Sequence, residues 1–500
     1  MEITKGQEFS LEIDDMGTDG EGIGHKEGYT LFVKDALVGD IVRVKVIKAK
    51  KKFGYGRLLE VIKPSPWRVE PACDCARQCG GCQIQHCSYE KQLAWKEKKV
   101  RDCLQRIGGF EEIPMEPIMG MDEPYHYRNK AQYPVGYDKE GNPVAGFYAG
   151  RTHSIIPNTD CAIQHPCNHM ILETILAFMK QYDIPAYEEK KHTGLVRHIL
   201  TRVGKYTGEV MVCLIINGNK LPHQDKLVEM LKKATDVETT YKIKSICLNI
   251  NKDKTNRILG EKVVPIYGQT YIEDRIGNIT YRISPLSFYQ VNPKQTEMLY
   301  RKALSYAALT GRETVLDAYC GTGTIGMIAS DSAKQVIGVE LNPDAVRDAR
   351  NNAKGNGIKN ITFYQNDAGK FLLEMADQGA KLDVLLMDPP RSGSSEAFLS
   401  AVSRMKPGKI VYISCNPETL VRDLKYLVKN GYQVEKSVAV DMFPFTESCE
   451  AVCLLTKKER KFGCSDAVGE LSEIAQGNVT GTKKSCRKAG RDFQTACTGH

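Results

Sequence analysis

The first part of the chain alternates apolar and polar residues in short runs that glycines interrupt. These runs are EFSLEIDDMG, GYTLFV, DIVRVKVIKAK and YGRLLEVIK, in residues 8–63. A period of two is typical of strands that bury one face, and several short strands between turn residues indicate a small antiparallel barrel of the OB type. The pattern therefore predicts a barrel domain over residues 1–62.

One strand of this domain runs into KAKKKFGYGR, in which Phe53 and Tyr55 stand beside clustered lysines. Cations that neutralise phosphates, together with rings that stack on unpaired bases, favour a surface for single-stranded RNA. A solvated basic edge that deters strand pairing explains the same residues equally well. The stretch alone leaves both interpretations open.

The middle of the chain, residues 63–285, gives a mixed pattern. A linker punctuated by prolines, KPSPWRVEP, precedes a cysteine cluster, and strand-like and helix-like segments follow. These features predict a mixed α+β central domain whose topology the pattern does not fix. Its stretch YHYRNKAQYPVGY, with Arg128 and Lys130, is either an RNA contact or the ordinary polar face of a sheet.

A regular alternation of strands and helices fills residues 286–457. The strand-like runs are ETVLDAY, KQVIGVE, NITFYQND, LDVLLMD and KIVYIS. Such alternation is typical of βαβ units and a mostly parallel, doubly wound sheet, so we expect an α/β fold. Residues 458–500 are polar and show no periodicity, which predicts a disordered tail.

Composition narrows the class of protein without identifying an activity. Hydrophobic residues make up 42% and charged residues 26% of the chain, as in ordinary globular proteins. Because the sequence shows no secretory signal and no run of about 18 apolar residues, we expect a cytoplasmic protein with no membrane partner and no obligate protein partner. The net charge of +8 is compatible with a nucleic-acid partner.

Polar residues stand where five successive predicted strands end, and in open α/β sheets ligands bind at that edge. A single acid there is often a helix N-cap, but a polar residue at every end indicates a site. The loop after the first strand, DAYCGTGTIG, has GxGxxG spacing and suits an adenosine-containing cofactor, which leaves nicotinamide dinucleotides, flavins and S-adenosylmethionine open. The five residues are Asp317, Glu340, Asp367, Asp388 and Cys415.

Cys415 lies in SCNP, directly before a residue pair that starts helices well. Asn416 suits the N-cap and Pro417 the first helical position. The positive end of a helix dipole lowers the pKa of a thiol, so we expect a nucleophile. The alternative is a buried filler, because free cysteine is among the most buried residue types.

Several motifs together resemble the RNA uracil-5-methyltransferase family, in the branch that has an N-terminal TRAM domain and a 4Fe-4S cluster and methylates 23S ribosomal RNA. The motifs are SFYQVN (287–292), DAYCGTGTIG, GVE, MDPPRSG, SCNPETLVRDL and FPFTESCE (443–450). The resemblance covers residues 1 to about 457. It implies a TRAM barrel, a central domain with the iron–sulfur site and a C-terminal Rossmann-like methyltransferase domain.

The resemblance also implies roles for individual residues. Cys415 matches the nucleophile that adds to C6 of uracil, and Glu450 matches the general base. The motif FPFTESCE lacks the two histidines usual before that glutamate, which leaves Glu447 as a minor rival for the base. Six residues match positions that line the S-adenosylmethionine site: Gln290, Tyr319, Thr324, Glu340, Asp367 and Asp388.

The cysteine cluster has C-x5-C-x2-C spacing, with a further cysteine much later. Without a secretion signal we expect reduced thiols, and four thiolates hold either zinc or an iron–sulfur cluster. The resemblance implies a 4Fe-4S cluster, with a structural or RNA-positioning role because methyl transfer needs no electron. Its ligands would be Cys73, Cys79, Cys82 and Cys161, with Cys167 the competitor for the fourth place and Cys75 and Cys87 as spares.

Three other functions stay open from the sequence. Transfer RNA is the alternative substrate, although its enzymes in this family typically lack the barrel and the cluster. A non-catalytic RNA-binding protein would not need Cys415, Glu450 and Asp388. An iron–sulfur redox or radical enzyme would need its cluster beside the cofactor, whereas the cysteine cluster lies far in sequence from the glycine loop and Cys415.

Overall fold

The structure is a computed structural model that describes residues 3–110, 112–235 and 240–458. Five strands form a closed barrel in the order β1-β2-β3-β5-β4, which confirms the predicted N-terminal barrel. All neighbours are antiparallel except β3 and β5. The strands are β1 (Glu8–Met16), β2 (Gly22–Lys26), β3 (Tyr29–Val33), β4 (Ile41–Ala49) and β5 (Phe53–Lys63).

A helix and an edge strand follow the cysteine cluster. Helix α1 (Tyr89–Asp102) continues into a π-helical turn (Cys103–Ile107), and β6 (Met115–Met119) comes next. The buried Lys96 of α1 pairs with Asp441 at 2.6 Å. This helix therefore packs against the C-terminal part of the described chain.

The central sheet has seven strands in the order β13-β12-β11-β10-β7-β8-β9. Its antiparallel pattern is broken only between β11 and β12, which are parallel. Helices α2 (Cys167–Gln181) and α3 (Gln224–Thr235) pack on one face through aliphatic side chains. The strands are β7 (Lys130–Tyr137), β8 (Pro143–Tyr148), β9 (Ile155–Pro157), β10 (Val196–Val203), β11 (Glu209–Ile216), β12 (Lys242–Ile250) and β13 (Lys262–Gly268).

The hairpin of β14 (Ile272–Ile276) and β15 (Ile279–Ile283) leads into the catalytic sheet. This sheet has eight strands in the order β18-β17-β16-β19-β20-β22-β21-β6. The first five are parallel, as predicted, and β22 is antiparallel to β20. The strands after β15 are β16 (Thr314–Ala318), β17 (Gln335–Glu340), β18 (Ile361–Gln365), β19 (Val384–Met387), β20 (Lys409–Ser414), β21 (Tyr432–Val440) and β22 (Glu450–Lys457).

Side-chain caps fix where several helices of this region begin. Asn292, Asn342 and Asn416 each accept a backbone N–H of the following turn, and each precedes a proline at the first helical position. The helices are α4 (Pro293–Ala307), α5 (Thr324–Ala329), α6 (Pro343–Gly355), α7 (Ala368–Asp377), α8 (Glu396–Met405) and α9 (Pro417–Lys429). The caps of α6 and α9 thus start these helices within three residues of the ends of β17 and β20.

One strand lies elsewhere than the sequence pattern placed it. Strand β6, within the predicted central segment 63–285, pairs in parallel with β21, with Met119 opposite Val440. The predicted tail falls outside the described residues from residue 459 on. Among the described helices none is long and apolar enough to cross a membrane.

Candidate active site

The carboxyl ends of the parallel strands bring the predicted residues to one edge of the catalytic sheet. Ala318 pairs with Met387, and Met387 pairs with Tyr412, so the loops after β16, β19 and β20 start side by side. On the other side of β20, Ser414 pairs with Ala451. This register places Cys415 directly beside Glu450.

The glycine loop after β16 has the backbone that its sequence predicts. Gly321 and Gly323 have φ values of 55° and 78°. A Cβ on Gly323 would lie 2.5 Å from the ring of Phe363, whereas one on Gly321 would meet nothing within 4 Å. Gly323 is therefore required by packing, and Gly321 faces open space in which a ligand can approach the backbone.

Acidic side chains hold this loop and its neighbour. Glu340, at the end of β17, accepts the N–H of Gly321 at 3.1 Å and that of Asn342 at 2.8 Å. Asp367 caps α7 by accepting the N–H of Lys370 at 3.0 Å. Both carboxylates thus order the backbone, and both stay at the sheet edge where an adenosine would lie.

A tyrosine that the sequence analysis missed joins several predicted residues. Tyr300 of α4 is buried, and its hydroxyl lies near the side chains of Gln290 and Thr324, while Asp388 and Asp317 lie near enough to raise its pKa further beyond the effect of burial. The available signal was its place two turns after the SFYQVN motif. Burial likewise raises the pKa of Asp317 to about 8.

The candidate nucleophile and base differ from expectation in their protonation. Burial, followed by the nearby carboxylates of Glu450 and Asp388, raises the pKa of Cys415 to about 11. The predicted lowering by the helix dipole is therefore wrong, although Asn416 caps α9 as expected, because desolvation and two negative neighbours outweigh a partial positive charge. The pKa of Glu450 is raised by burial and by Asp388, and its Oε2 has no hydrogen-bond partner among the described residues.

Arg391 is a second residue that the sequence analysis missed. Its positive charge lowers the pKa values of both Cys415 and Glu450, against the larger effect of burial. Its carbonyl oxygen accepts hydrogen bonds from Asn416 Nδ2 and Thr419 Oγ1, both at 3.2 Å. The loop after Asp388 is thereby attached to the helix that follows Cys415.

Four predicted cysteines line a single cavity of about 330 Å³, which we call the cysteine cavity. They are Cys73, Cys79, Cys82 and Cys161. The competitor Cys167 is not in this lining: its sulfur lies 3.1 Å from Nδ1 of His165 at the start of α2. Cys87 is buried at a different place, near Arg68 and Asp40, and Cys75 contacts Cys73 outside the lining.

The cysteine cavity is not arranged for one ion. Within the described part of the chain, no group of three or more His, Cys, Asp or Glu side chains is placed to hold a single metal ion. Four thiols around one cavity are the donor set that an iron–sulfur cluster takes.

Comparison with known proteins decides the family. The family model described as tRNA (Uracil-5-)-methyltransferase matches residues 88–458. The chain belongs to this family. A TRAM domain model matches residues 2–59, the region of the barrel.

Members of the tRNA (uracil-5-)-methyltransferase family with similar sequences span almost the same length. An uncharacterized RNA methyltransferase of Halalkalibacterium halodurans is 46% identical over 91% of this chain and 98% of its own. One from Clostridium tetani is 44% identical over 91% and 97%. This chain is therefore an RNA methyltransferase that uses S-adenosylmethionine.

A solved structure is similar to this chain over most of its length. The tRNA (uracil-54, C5)-methyltransferase of Pyrococcus abyssi, in complex with S-adenosyl-L-homocysteine, is 27% identical, with a TM-score of 0.72. The match covers 90% of this chain and all of that one.

Proposed function

We propose that this methyltransferase transfers a methyl group to C5 of uracil in 23S ribosomal RNA through a covalent bond between Cys415 and uracil C6. The observation that carries the proposal is the adjacency of Cys415, directly after β20, and Glu450, at the start of β22: Ser414 pairs with Ala451, and Glu450 raises the pKa of Cys415. The unpartnered Oε2 of Glu450 supports it, because a buried polar atom without a partner is costly unless a ligand uses it.

The Cys415 thiolate adds to C6, and the electron pair of the C5–C6 bond moves towards O4. Bound S-adenosylmethionine would supply the methyl group that C5 then takes, and S-adenosylhomocysteine would be left. Glu450 removes the remaining proton from C5, the C5–C6 double bond forms again, and the Cys415–C6 bond breaks. Covalent addition thus divides one difficult step into easier ones.

The environment of Glu450 suits proton removal from carbon. Burial and the neighbouring carboxylate of Asp388 raise its pKa, and a carboxylate with a raised pKa is a stronger base than an exposed one. Register favours Glu450 over Glu447, because the pairing of Ser414 with Ala451 brings Glu450 next to Cys415, and Glu450 is the glutamate that raises the pKa of Cys415.

The six residues predicted for the cofactor fit S-adenosylmethionine. Open space over Gly321 admits the ligand to the loop backbone. Glu340 and Asp367 would serve the ribose and the adenine edge. The remaining four, which meet near the Tyr300 hydroxyl or beside the loop, are Gln290, Tyr319, Thr324 and Asp388.

We also propose that the cysteine cavity holds a 4Fe-4S cluster on Cys73, Cys79, Cys82 and Cys161. The support is that all four thiols face one cavity. The cluster would supply a crosslink between two distant segments rather than an electron. Iron and sulfide analysis of anaerobically purified protein tests it, and stoichiometric zinc without iron would overturn it.

The barrel surface is the proposed first contact with RNA. Phe53 lies with Phe32 and Tyr55 in one aromatic group, with ring centroids 5.8 Å and 6.0 Å from that of Phe53. Lys50 lies 4.7 Å above the Phe53 ring. Rings and cations in this arrangement bind single-stranded RNA by stacking and by phosphate contacts.

Transfer RNA is the second candidate substrate, because the tRNA (uracil-54, C5)-methyltransferase of Pyrococcus abyssi matches 90% of this chain in structure. Mapping 5-methyluridine in ribosomal and transfer RNA, from cells with and without this gene, separates the two. Loss of a 23S site supports the first proposal, and loss of a transfer-RNA site replaces it with the second.

The covalent step has a direct test. RNA that carries 5-fluorouridine has no proton at C5, so the adduct with Cys415 should persist when S-adenosylmethionine is present. We expect a stable protein–RNA band that Cys415→Ala lacks. Methylation by Cys415→Ala at an undiminished rate would instead overturn the covalent mechanism.

A further inference from the structure

A second cavity, which we call the barrel–helix cavity, lies between three elements. Met16 and Thr18 at the end of barrel strand β1 form one wall, Trp95 of α1 and Ile107 of the π-helical turn another, and Glu418 of α9 the third. Its volume is about 150 Å³. None of these residues belongs to the glycine loop after β16 or lines the cysteine cavity.

The size and lining of the barrel–helix cavity suit one flat ring. Met16, Trp95, Cys103 and Ile107 give it a largely apolar interior. A cavity of about 150 Å³ with such a lining takes up a single six-membered ring such as benzene. A pyrimidine base has one ring of this size, whereas a purine has two fused rings.

Cations surround the opening. Lys98, Lys99 and Arg106 line it together with two acids. Lys98 and Arg106 share Asp102, at 2.9 Å and 3.6 Å, and Lys98 also contacts Asp15 at 3.3 Å. Because these pairs are solvent-exposed, they are weak, and phosphate oxygens can compete for the same cations.

Lys99 differs from the other two cations, because its ammonium group donates hydrogen bonds to backbone carbonyl oxygens. Its ammonium group donates to the carbonyl of Thr18 at 2.8 Å and to that of Glu447 at 2.9 Å. One side chain therefore connects the barrel to the loop that leads to Glu450. The barrel–helix cavity lies beside this connection.

The cavity is also close to the nucleophile. Glu418 follows Cys415 by three residues, a separation that spans at most about 11 Å even in an extended chain. An RNA strand that lies on the barrel and presents a uridine to Cys415 would pass the opening. The nucleotide next to the target is thus within reach of the cavity.

We propose that the barrel–helix cavity binds the pyrimidine base of a nucleotide that flanks the target uridine, while Lys98 and Arg106 contact its phosphates. The inference rests on the proposed function, since it takes RNA as the substrate and Cys415 as the reacting residue. Holding a neighbouring base would anchor the strand while the target uracil leaves its stack.

The test combines changed RNA with a blocked cavity. Nucleotides flanking the mapped uridine are replaced one at a time by an abasic ribose, and KM for RNA is measured. We expect one position at which the wild-type KM rises about tenfold, the size of one lost base contact. Thr18→Trp, which fills the opening from an exposed position, should raise KM for the intact RNA equally and remove the sensitivity to that abasic site.

Matched variants control for surface changes. Asp19→Trp introduces the same ring one residue away, outside the cavity lining, and should behave as wild type. Arg106→Glu should weaken RNA binding more than Arg101→Glu, because Arg101 pairs with Glu97 at 2.7 Å on the same helix and does not line the cavity.

The outcomes separate the two proposals. If the wild type methylates RNA but the abasic site raises KM equally for the wild type and for Thr18→Trp, the cavity proposal is overturned. The proposed function then stands. If the wild type methylates no RNA, the proposed function fails. Fluorescence anisotropy then tests the cavity proposal through RNA binding. It compares the binding of oligouridine, intact or with one abasic ribose, by the wild type and by Thr18→Trp.

Discussion

The backbone amide of Ile84 donates a hydrogen bond of 3.1 Å to the carbonyl oxygen of Phe445, and the amide of Gln83 donates to the same oxygen at 3.0 Å. The segment that follows Cys82 is thus tied to the loop that leads to Glu450. Phe445 also packs its buried ring with Cys82 and Cys161. The cysteine cavity and the candidate base therefore share one support.

This relationship predicts different effects for two cysteine substitutions. Cys161→Ala removes a lining thiol, so we expect loss of iron and a lower kcat with the KM for S-adenosylmethionine unchanged. Cys167→Ala, the control, lies outside the lining and should keep its iron. Iron analysis and steady-state kinetics check both. Full iron content in Cys161→Ala would contradict the proposed ligand set.

Glu450→Gln should stop the reaction after methyl transfer. Without a base at C5, the methylated adduct with Cys415 cannot eliminate, so covalent protein–RNA complex should accumulate with natural RNA. The rate of product release should fall by about 10²- to 10⁴-fold, because a general base usually contributes this much to a rate. Denaturing gels with radiolabelled methyl groups measure the complex. If Glu447→Gln trapped the adduct instead, the base would be misassigned.

Arg391→Gln should shift the pH dependence of the chemical step. The charge of Arg391 lowers the pKa values of Cys415 and Glu450, so its removal raises both, and each reactive form then requires a higher pH. The acid limb of the rate should therefore move to higher pH, whereas Arg391→Lys should leave it nearly unchanged. Single-turnover methylation across the pH range measures the shift. A shift towards lower pH would be inconsistent with this electrostatic role.

Lys96→Met should destabilise the fold. The ammonium group of Lys96 is fully buried against Asp441, and removing one member of such a pair leaves a buried charge, at a cost of about 3–5 kcal/mol. Lys98→Met changes an exposed pair and should cost no more than about 1 kcal/mol. Urea unfolding compares the two. Equal costs would show that burial of the pair does not matter.

Much of the site could be predicted because it follows local rules. Strand ends, glycine spacing and the Asn-Pro start of α9 are written in neighbouring residues, and the structure brings Asp388, Cys415 and the glycine loop to one edge as the parallel sheet requires. The thiol pKa could not be predicted in this way, because it depends on burial and on Glu450. The places of Tyr300 and Arg391 in the site likewise depend on their surroundings in the folded chain, so they were not predicted either.

The pairing of β6 with β21 bears on how the chain acquires its structure. A strand at residues 115–119 completes a sheet whose other members lie beyond residue 313, so a very long loop must close before that edge is covered. Contacts between residues so distant in sequence slow folding, and β21 presents an open edge until they form. Refolding from denaturant should therefore be slow and should lose material to aggregation at high protein concentration.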